Sequence, residues 1–276
     1  MHLDYLEIKT PSLVLDLARV RQNADRISEV ARRNKVRLRP HVKTHKCVEV
    51  AKIQTAGHDG AITVSTLAEA RAFAKNGFSD ITYAVPIERG KFGDAIEILK
   101  SGVKLNLLTD DAATMNALDV ASGKVGVRFD VFLKIDVGTH RVGVEPHTAE
   151  AIEIPRQIQD ADALNFAGIL THAGHSYDAK TKEQILEVAR HERDVMVELA
   201  ERLREESIEV PTVSIGSTPT MSTVDHLDGI DEIRPGNYIF FDNFQATLGS
   251  CSFEDTALTV LSAVVHRDVS RNKLVV

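Results

Sequence analysis

Segments typical of strands and segments typical of helices alternate along almost the whole chain. After an opening strand at 13–17 and a helical stretch at 18–33, eight strand candidates follow, and nearly every gap between them carries a helical pattern. Strands that alternate with helices form parallel βαβ units. Eight of them in about 250 residues predict an α/β fold of the (β/α)8 TIM-type barrel class. The eight candidates are Val36–Lys43, Ala61–Val64, Asp80–Val85, Val103–Leu108, Val131–Asp136, Phe166–His172, Thr212–Gly216 and Glu232–Phe241.

The helical segments have recognisable ends. Around 67–75, Thr66 and Glu69 are placed to cap the first turn and Gly77 follows the last turn. A long charged amphipathic helix is predicted at 181–206. A doubly wound open sheet is the alternative α/β fold, but it usually has a Gly-rich turn after its first strand, and this sequence has none there. We therefore predict a barrel over residues 10–245.

The C-terminal segment departs from the alternation. Leu258–His266 and Lys273–Val276 are strand candidates, separated by a polar turn at Asp268–Asn272. Because two strands alone are only marginally stable, we expect them to pair with a further strand, and the opening strand is a candidate. We assign residues 246–276 to the start of an incomplete, partial C-terminal β domain.

Charge and cysteine content narrow the class of protein. A formal net charge of -7 argues against nucleic acid or an anionic membrane as the main partner. The basic cluster at 32–39 fits a solvated helix end. The two cysteines do not make a disulfide framework, the opening segment lacks a signal-peptide pattern, and no stretch approaches the roughly 20 apolar residues of a membrane span. We predict a cytoplasmic protein with a small-molecule partner.

The first barrel strand ends in basic residues. With a period of two, Arg39, His41 and Lys43 share one face. A cationic row that faces into a barrel is costly unless it meets an anion or a cofactor. Burial also lowers the pKa of a lysine, so that its neutral amine can attack an aldehyde. The spacing is equally compatible with Lys43 and Lys46 beginning a solvated helix.

Two later strand ends have the composition of phosphate-binding loops. Gly216–Thr220 places a glycine and then hydroxyl residues at a helix start, where backbone N–H groups and the helix dipole favour an anion. The eighth strand contains Arg234–Tyr238. Barrels often bind phosphate in the loops after strands seven and eight. An ordinary capped turn is the alternative interpretation of Gly216–Thr220.

The ends of strands five and six carry further polar residues. Arg141, in the run DVGTHRVG, could neutralise an acidic ligand oxygen. His172, His175 and Tyr177, in the run THAGHSY, could supply stacking and proton transfer. A metal site made by the two histidines is disfavoured, because the run offers no acidic partner.

These motifs resemble the D-serine dehydratase and D-threonine aldolase family of fold-type III pyridoxal-phosphate (PLP) enzymes, which are related to alanine racemase. RPHVKTHK at 39–46 is the most specific motif, and the resemblance extends from Thr10 to Val276. It implies that Lys43 binds PLP as a Schiff base. It also implies that Arg141 lies near the phenolic oxygen, His172 against the pyridine ring and Arg234 at the ring nitrogen. The residues implied to hold the phosphate are Gly216, Ser217, Thr218, Gly236, Asn237 and Tyr238.

The resemblance implies a lyase that acts on a β-hydroxy D-amino acid, with Lys43, His172 and Tyr177 as the catalytic residues and a homodimer as the assembly. THAGHSY at 171–177 is more similar to the dehydratase branch than to the aldolase branch. Family members bind a divalent metal, Zn or Mn, through a β domain whose ligand pair lies beyond Val276, so we name no metal ligand. An amino-acid racemase and a non-catalytic PLP-binding protein of cofactor homeostasis are the alternatives.

Overall fold

Short strands and helices alternate along residues 7–276, the part of the chain that the computed structural model describes. The strands are β1 Ser12–Leu15, β2 Arg37–Leu38, β3 Ile62–Val64, β4 Asp80–Pro86, β5 Lys104–Thr109, β6 Phe129–Lys134, β7 Leu164–Leu170, β8 Val213–Ile215, β9 Glu232–Ile233, β10 Leu258–Leu261, β11 His266–Asp268 and β12 Lys273–Val275. The helices are α1 Leu17–Asn34, α2 Val48–Gln54, α3 Leu67–Ala74, α4 Phe92–Lys100, α5 Ala112–Gly123, α6 Glu150–Gln159, α7 Lys182–Glu205, α8 Thr218–Thr223 and α9 Asn243–Leu248.

Eight parallel strands form the central sheet and confirm the predicted barrel class. Their spatial order is β2-β9-β8-β7-β6-β5-β4-β3, so each strand lies beside its neighbour in sequence and the last lies beside the first. A parallel bridge between His41 and Thr63 joins the two ends of this sheet. The doubly wound alternative is therefore excluded, because its sheet stays open.

Helix ends follow the capping patterns of the sequence. The Thr66 side chain accepts from the backbone N–H of Glu69 at the start of α3, as predicted. Asp16 caps α1 in the same way through Ala18 and Arg19. The long helix α7 runs from Lys182 to Glu205, within one residue of the predicted bounds. These helices pack their apolar faces on the outside of the barrel.

The first and last barrel strands are shorter than predicted. β2 ends at Leu38 and β9 at Ile233, whereas the strand patterns extend to Lys43 and Phe241. Pro40 and Pro235 follow two residues after these ends and cannot donate to a sheet ladder. The prediction that Arg39, His41 and Lys43 share a strand face is therefore wrong, because Lys43 lies in a 3-10 helix at Val42–Thr44.

The barrel interior is polar at one end. Arg39 donates to Glu232 and to Asp80, each at 2.6 Å. Burial opposes ionisation of Asp80, but hydrogen bonds and charges from Arg39 and Arg37 outweigh it and hold the pKa of Asp80 well below its usual range. The interpretation of the basic cluster as a solvated helix end thus fails for Arg39, which is 2% exposed.

Two small antiparallel sheets lie outside the barrel. β1 pairs with β10, with Ser12 opposite Leu261 and Leu15 opposite Leu258. β11 pairs with β12, with His266 opposite Val275. The single strand expected at 258–266 is thus divided in two: its first part joins the opening strand and its end joins the last strand.

The structure also describes helix composition and the state of the cysteines. None of the helices within residues 7–276 has the length and apolar composition needed to cross a membrane. Cys47 and Cys251 are both free thiols. Residues 1–6, most of the segment considered for a signal peptide, lie outside the described residues.

Candidate active site

A cavity opens among the loops that follow the carboxyl ends of the barrel strands. It encloses about 640 Å³, including the part open to solvent. Two of its lining residues are apolar: Leu170 forms a small buried cluster with Leu108 and Phe132, and Ala84 packs against that cluster. The described residues that line it are His41, Lys43, Thr44, Ala84, Lys134, Arg141, Val142, Leu170, His172, Tyr177, Ser217, Thr218, Arg234, Gly236 and Asn237.

The cavity lining is strongly cationic. Lys43, Lys134, Arg141 and Arg234 all contribute to it, and none of the lining residues in the described part of the chain is an aspartate or a glutamate. Cations held together at low dielectric repel one another and lose hydration. Such a cavity is suited to a ligand with more than one negative charge.

Lys43 is brought into the cavity by the 3-10 helix at Val42–Thr44. The side chain of His41 caps this helix by accepting from the backbone N–H of Lys43. Burial, with the nearby charges of Arg141 and Arg234, lowers the pKa of Lys43. Lys46 does not line the cavity; its side chain is 64% exposed and forms an ion pair with Glu69. The structure therefore separates the two lysines of the motif.

Gly236, which follows β9, allows the chain there to approach the segment that carries Lys43. A Cβ atom at Gly236 would lie 2.7 Å from the carbonyl oxygen of His41 and 2.9 Å from its Cβ. Real Cβ atoms do not make contacts this short, so only glycine fits without displacing His41. The His41 backbone N–H also donates to the Pro235 carbonyl at 3.0 Å.

Lys134 and His41 are site residues for which the sequence analysis assigned no role in the cavity. Lys134 is the last residue of β6, is 5% exposed and donates to the Ile135 carbonyl at 2.7 Å. Burial and the charge of Arg234 lower the pKa of Lys134 to about 7. A lysine at the end of a predicted apolar strand is a pattern that could have identified it, since such a residue lies at the functional end of the barrel.

Arg234 is fixed by a chain of buried hydrogen bonds. Its Nε donates to Ser214 Oγ at 2.8 Å, and it also donates to the Thr171 carbonyl. Ser214 Oγ donates in turn to Glu232 at 2.7 Å, and Glu232 accepts from Arg39. Burial lowers the pKa of Arg234 to about 10, so it is cationic at neutral pH.

His172 and Tyr177 lie in the loop after β7 and both line the cavity. His172 Nδ1 is 3.3 Å from the Gly216 carbonyl, which makes that nitrogen the donor. Burial and the charge of Lys43 lower the pKa of His172 to about 3, so the ring is neutral at physiological pH. Burial raises the pKa of Tyr177, whose ring stacks on Phe244 with an interplanar angle of 4°. His175 points away from the cavity, against Gly138.

The loop that carries Arg141 is organised by Asp136. Asp136 accepts from the backbone N–H groups of Gly138, Thr139 and His140 at 2.8–3.1 Å. His140 Nδ1 lies 3.6 Å from Asp136 and 3.6 Å from Glu145, so the three side chains could surround a metal ion. The backbone hydrogen bond from His140 to Asp136 already accounts for the position of His140, whose side chain is 75% exposed.

The predicted phosphate-type loops meet at one side of the cavity. Ser217 caps α8, and its side chain accepts from the Thr220 backbone N–H. Thr218 Oγ1 accepts from the Tyr238 backbone N–H at 3.1 Å, which ties the two loops together. Ser217, Thr218, Gly236 and Asn237 line the cavity, whereas Gly216 and Tyr238 do not. Tyr238 contributes its backbone here, since its side chain is fully buried.

Comparison with known proteins identifies the family. Residues 15–244 match the family described as alanine racemase, N-terminal domain. The chain belongs to this family. It is 39% identical over 272 residues to D-threo-3-hydroxyaspartate dehydratase of Delftia sp. (strain HT23), a match that covers 98% of this chain and 71% of that enzyme.

Other members of the alanine racemase N-terminal domain family are also similar. D-serine dehydratase of Dictyostelium discoideum is 37% identical, covering 99% of this chain and 73% of that enzyme. D-threonine aldolase of Arthrobacter sp is 31% identical, and the match covers 94% of this chain and 69% of that enzyme. The resemblance to the dehydratase and aldolase group is thereby confirmed.

Solved structures of this family superimpose closely on the chain. The Delftia dehydratase gives a TM-score of 0.93 over 96% of this chain and 70% of its own. A mutant D-threo-3-hydroxyaspartate dehydratase in the metal-free form, with 38% identity, gives a TM-score of 0.93. That match covers 98% of this chain and 71% of the mutant's chain. The barrel and the small sheet formed by β1 and β10 therefore belong to the part of the chain that superimposes on these structures.

Proposed function

We propose that this protein is a PLP-dependent lyase that acts on a small β-hydroxy D-amino acid, by dehydration or by Cα–Cβ cleavage. The named relatives support the reaction class, since they are dehydratases and an aldolase of such substrates. Dehydration of D-serine removes the α-proton and the β-hydroxyl group and, after hydrolysis, yields pyruvate and ammonia. Cleavage of D-threonine yields glycine and acetaldehyde.

The observation that carries the proposal is the composition of the cavity. Four cationic side chains surround it, and no carboxylate is among the described lining residues. PLP has a phosphate group, a phenolic oxygen and an aldehyde, so it matches the positive charge and also requires an amine. Lys43 supplies that amine with a lowered pKa. The residues present therefore fit PLP.

Eight of the lining residues would have a part in holding this cofactor. Lys43 would hold the aldehyde carbon, Arg141 the phenolic oxygen and Arg234 the ring nitrogen, with His172 against the ring face. Ser217, Thr218, Gly236 and Asn237 would hold the phosphate. Gly216 and Tyr238 would act indirectly, since they do not line the cavity and their backbone N–H groups are bonded to Glu192 and Thr218. PLP supplies electron withdrawal from the α-carbon of a bound amino acid.

The protein side chains supply proton transfer and exclude water. The Lys43 amine would be the base that removes the α-proton, because its lowered pKa leaves it uncharged more often than an exposed lysine. His172 is neutral and cannot add a further charge beside Lys43. Burial raises the pKa of Tyr177, so Tyr177 keeps its proton, and its hydroxyl lies beside Thr218 in the loop assigned to the phosphate.

The finer features of the proposal are a metal, an assembly and a location. A divalent metal, Zn²⁺ or Mn²⁺, is supported by the relative that was solved in a metal-free form. The group of Asp136, His140 and Glu145 is not assigned to this metal, because His140 is exposed and its backbone hydrogen bond to Asp136 already accounts for its position. A homodimer and a cytoplasmic location are proposed from the resemblance and from the two free cysteines.

The proposal is tested by trapping and by product analysis. Borohydride reduction of the protein with PLP, followed by peptide mass spectrometry, should place the added mass on Lys43 in the wild type. It should be lost in the Lys43→Ala variant and kept in Lys46→Ala, which replaces the exposed lysine of the same motif. Assays with Zn²⁺ or Mn²⁺ should detect pyruvate from D-serine, or glycine from D-threonine.

Two results would contradict the proposed lyase. The first is trapping on Lys43 with no product from D-serine, D-threonine or D-threo-3-hydroxyaspartate, which would favour a non-catalytic PLP-binding protein. The second is loss of optical rotation without a keto acid or an aldehyde, which would favour a racemase. Absence of trapping on Lys43 would contradict the cofactor itself.

A further inference from the structure

A buried glutamate joins the two loops behind the cavity. Glu192 lies on the outer helix α7 and is 0% exposed. Its Oε1 accepts from the backbone N–H of Ala173 at 3.0 Å and from that of Gly216 at 3.1 Å. Ala173 follows the end of β7 and Gly216 follows the end of β8, so a single carboxylate oxygen holds two strand ends together.

The two residues that Glu192 holds are direct neighbours of cavity residues. Ala173 follows His172, and Gly216 precedes Ser217; both of these neighbours line the cavity. His172 also donates to the Gly216 carbonyl, so the N–H and the C=O of Gly216 are fixed from opposite directions. A shift of the Glu192 carboxylate would therefore change the distance between the ring of His172 and the hydroxyl groups of Ser217 and Thr218.

Packing alone does not explain a glutamate at this position. The other buried residues of α7 are all apolar or small: Ile185, Ala189, Met196, Leu199, Ala200 and Leu203. Burying a carboxylate is costly unless it gains hydrogen bonds, and burial raises the pKa of Glu192. Its second oxygen, Oε2, has no hydrogen-bond partner among residues 7–276. The backbone N–H groups of Gly216 and Ala173 do most to offset this cost, followed by the charge of Arg234 and the hydroxyl of Thr220.

We propose that Glu192 is a positioning residue that sets the spacing between the His172 loop and the Ser217–Thr218 loop, and thereby adapts the cavity to the phosphate group of its ligand. This inference rests on the proposed PLP function. Glu192 does not line the cavity, and it would act through the two backbone N–H groups that it accepts from.

The test compares two substitutions of similar size. Glu192→Gln keeps one oxygen that can accept from both N–H groups, whereas Glu192→Met fills the same volume and accepts nothing. Affinities are measured for PLP and for pyridoxal, which lacks the phosphate, and near-UV circular dichroism reports folding. Glu198→Met is the control for loss of a charge on the same helix, because Glu198 is 59% exposed.

We expect Glu192→Met to lower the ratio of PLP affinity to pyridoxal affinity about ten-fold, since it leaves two buried donors unpaired at the phosphate side. Glu192→Gln and Glu198→Met should change this ratio less than about three-fold. If Met and Gln lower the ratio equally, or neither lowers it, the positioning role is wrong. Equal loss of both affinities in the Met variant also contradicts it.

Two further results keep this inference separate from the proposed function. If the wild type binds neither PLP nor pyridoxal at Lys43, the proposed function fails, whatever Glu192 does. If the Met variant does not fold, Ala173→Pro removes one of the two contacts from the donor side, and Ala173 has a φ of -76° that proline adopts. A folded Ala173→Pro protein with the wild-type affinity ratio would overturn the inference.

Discussion

The Nε atom of Arg39 lies 2.6 Å from Oε2 of Glu232, and neither side chain is more than 2% exposed. From this pair the contacts extend to Asp80 on one side and through Ser214 to Arg234 on the other. The interior of the barrel thus holds a continuous network of charged and hydroxyl groups that reaches the cavity. The contacts within this network offset the free-energy cost of burying each charged group.

Removing Arg39 should therefore destabilise the protein strongly. Arg39→Met leaves Glu232 without its main cationic partner, and loss of one member of a buried pair costs about 3–5 kcal/mol in the free energy of unfolding. Arg71→Met is the control, because Arg71 also contacts an acid at 2.6 Å, Asp94, but is 37% exposed. An exposed pair contributes about 0–1 kcal/mol. Urea unfolding measures both, and equal losses would show that burial does not govern these pairs.

The stability of the cofactor-free protein should depend on pH through Lys134. Folding lowers the pKa of Lys134 to about 7, while the unfolded chain keeps the proton up to the ordinary lysine value of 10.5. Between these values the unfolded state binds more protons, so the free energy of unfolding rises with pH. The contribution reaches about 1.4 kcal/mol per pH unit at most. Below the folded pKa both states are protonated, so the free energy of unfolding does not change with pH through Lys134.

Lys134→Met should remove this rise, and urea unfolding between pH 7 and pH 10 measures it. Lys104→Met is the matched control, since Lys104 lies on the neighbouring strand β5 with a side chain that is 56% exposed. Parallel stability curves for the wild type and Lys134→Met would contradict the assignment of a low pKa to Lys134.

Gly236→Ala should impair cofactor binding more than stability. The added methyl group would meet the carbonyl and Cβ of His41 and push the segment that carries Lys43. We expect about a ten-fold loss of PLP affinity, because a contact of this kind forces a shift in a closely packed site. Gly93→Ala is the control, since nothing lies within 4 Å of its Cβ position. Wild-type PLP affinity in Gly236→Ala would mean that the Lys43 segment adjusts freely.

Gly168→Ala should destabilise the barrel itself. Gly168 has a φ of +126°, and a Cβ there would overlap the Thr212 carbonyl oxygen of the adjoining segment. Strain and steric overlap together should cost about 3 kcal/mol or more. Gly126→Ala shares the positive φ, at +66°, without any atom within 4 Å, and should cost about 1 kcal/mol. Thermal unfolding separates the two, and equal shifts would exclude the steric contribution.

Local patterns in the sequence were enough to predict the barrel and much of its active end. The alternation of strands and helices predicts the fold, since periodicity reports which face of each element is buried. The strand ends then predict where Lys43, Arg141, His172 and Arg234 meet. The four side chains line one cavity because parallel strands bring all their carboxyl ends to one side. The resemblance narrowed the chemistry from an amine-bearing cavity to PLP.

Some features depend on partners that local patterns do not contain. The strand pattern extended to Lys43, but β2 ends at Leu38 and Lys43 lies in a 3-10 helix. Lys134 and Glu192 read as ordinary residues of a strand and of a charged helix. Only the folded barrel places Lys134 in the cavity lining and the Glu192 carboxylate against the backbone N–H groups of Ala173 and Gly216.

The sequence by itself determined the order of the elements and which residues stand at strand ends. Only the tertiary structure decided which charges are paired and which face the cavity. Arg39 and Glu232 are 193 residues apart, and they meet because β2 and β9 are neighbours in the closed sheet. The physical reason is that periodicity is a property of adjacent residues, whereas desolvation and ion pairing depend on every element that surrounds a group.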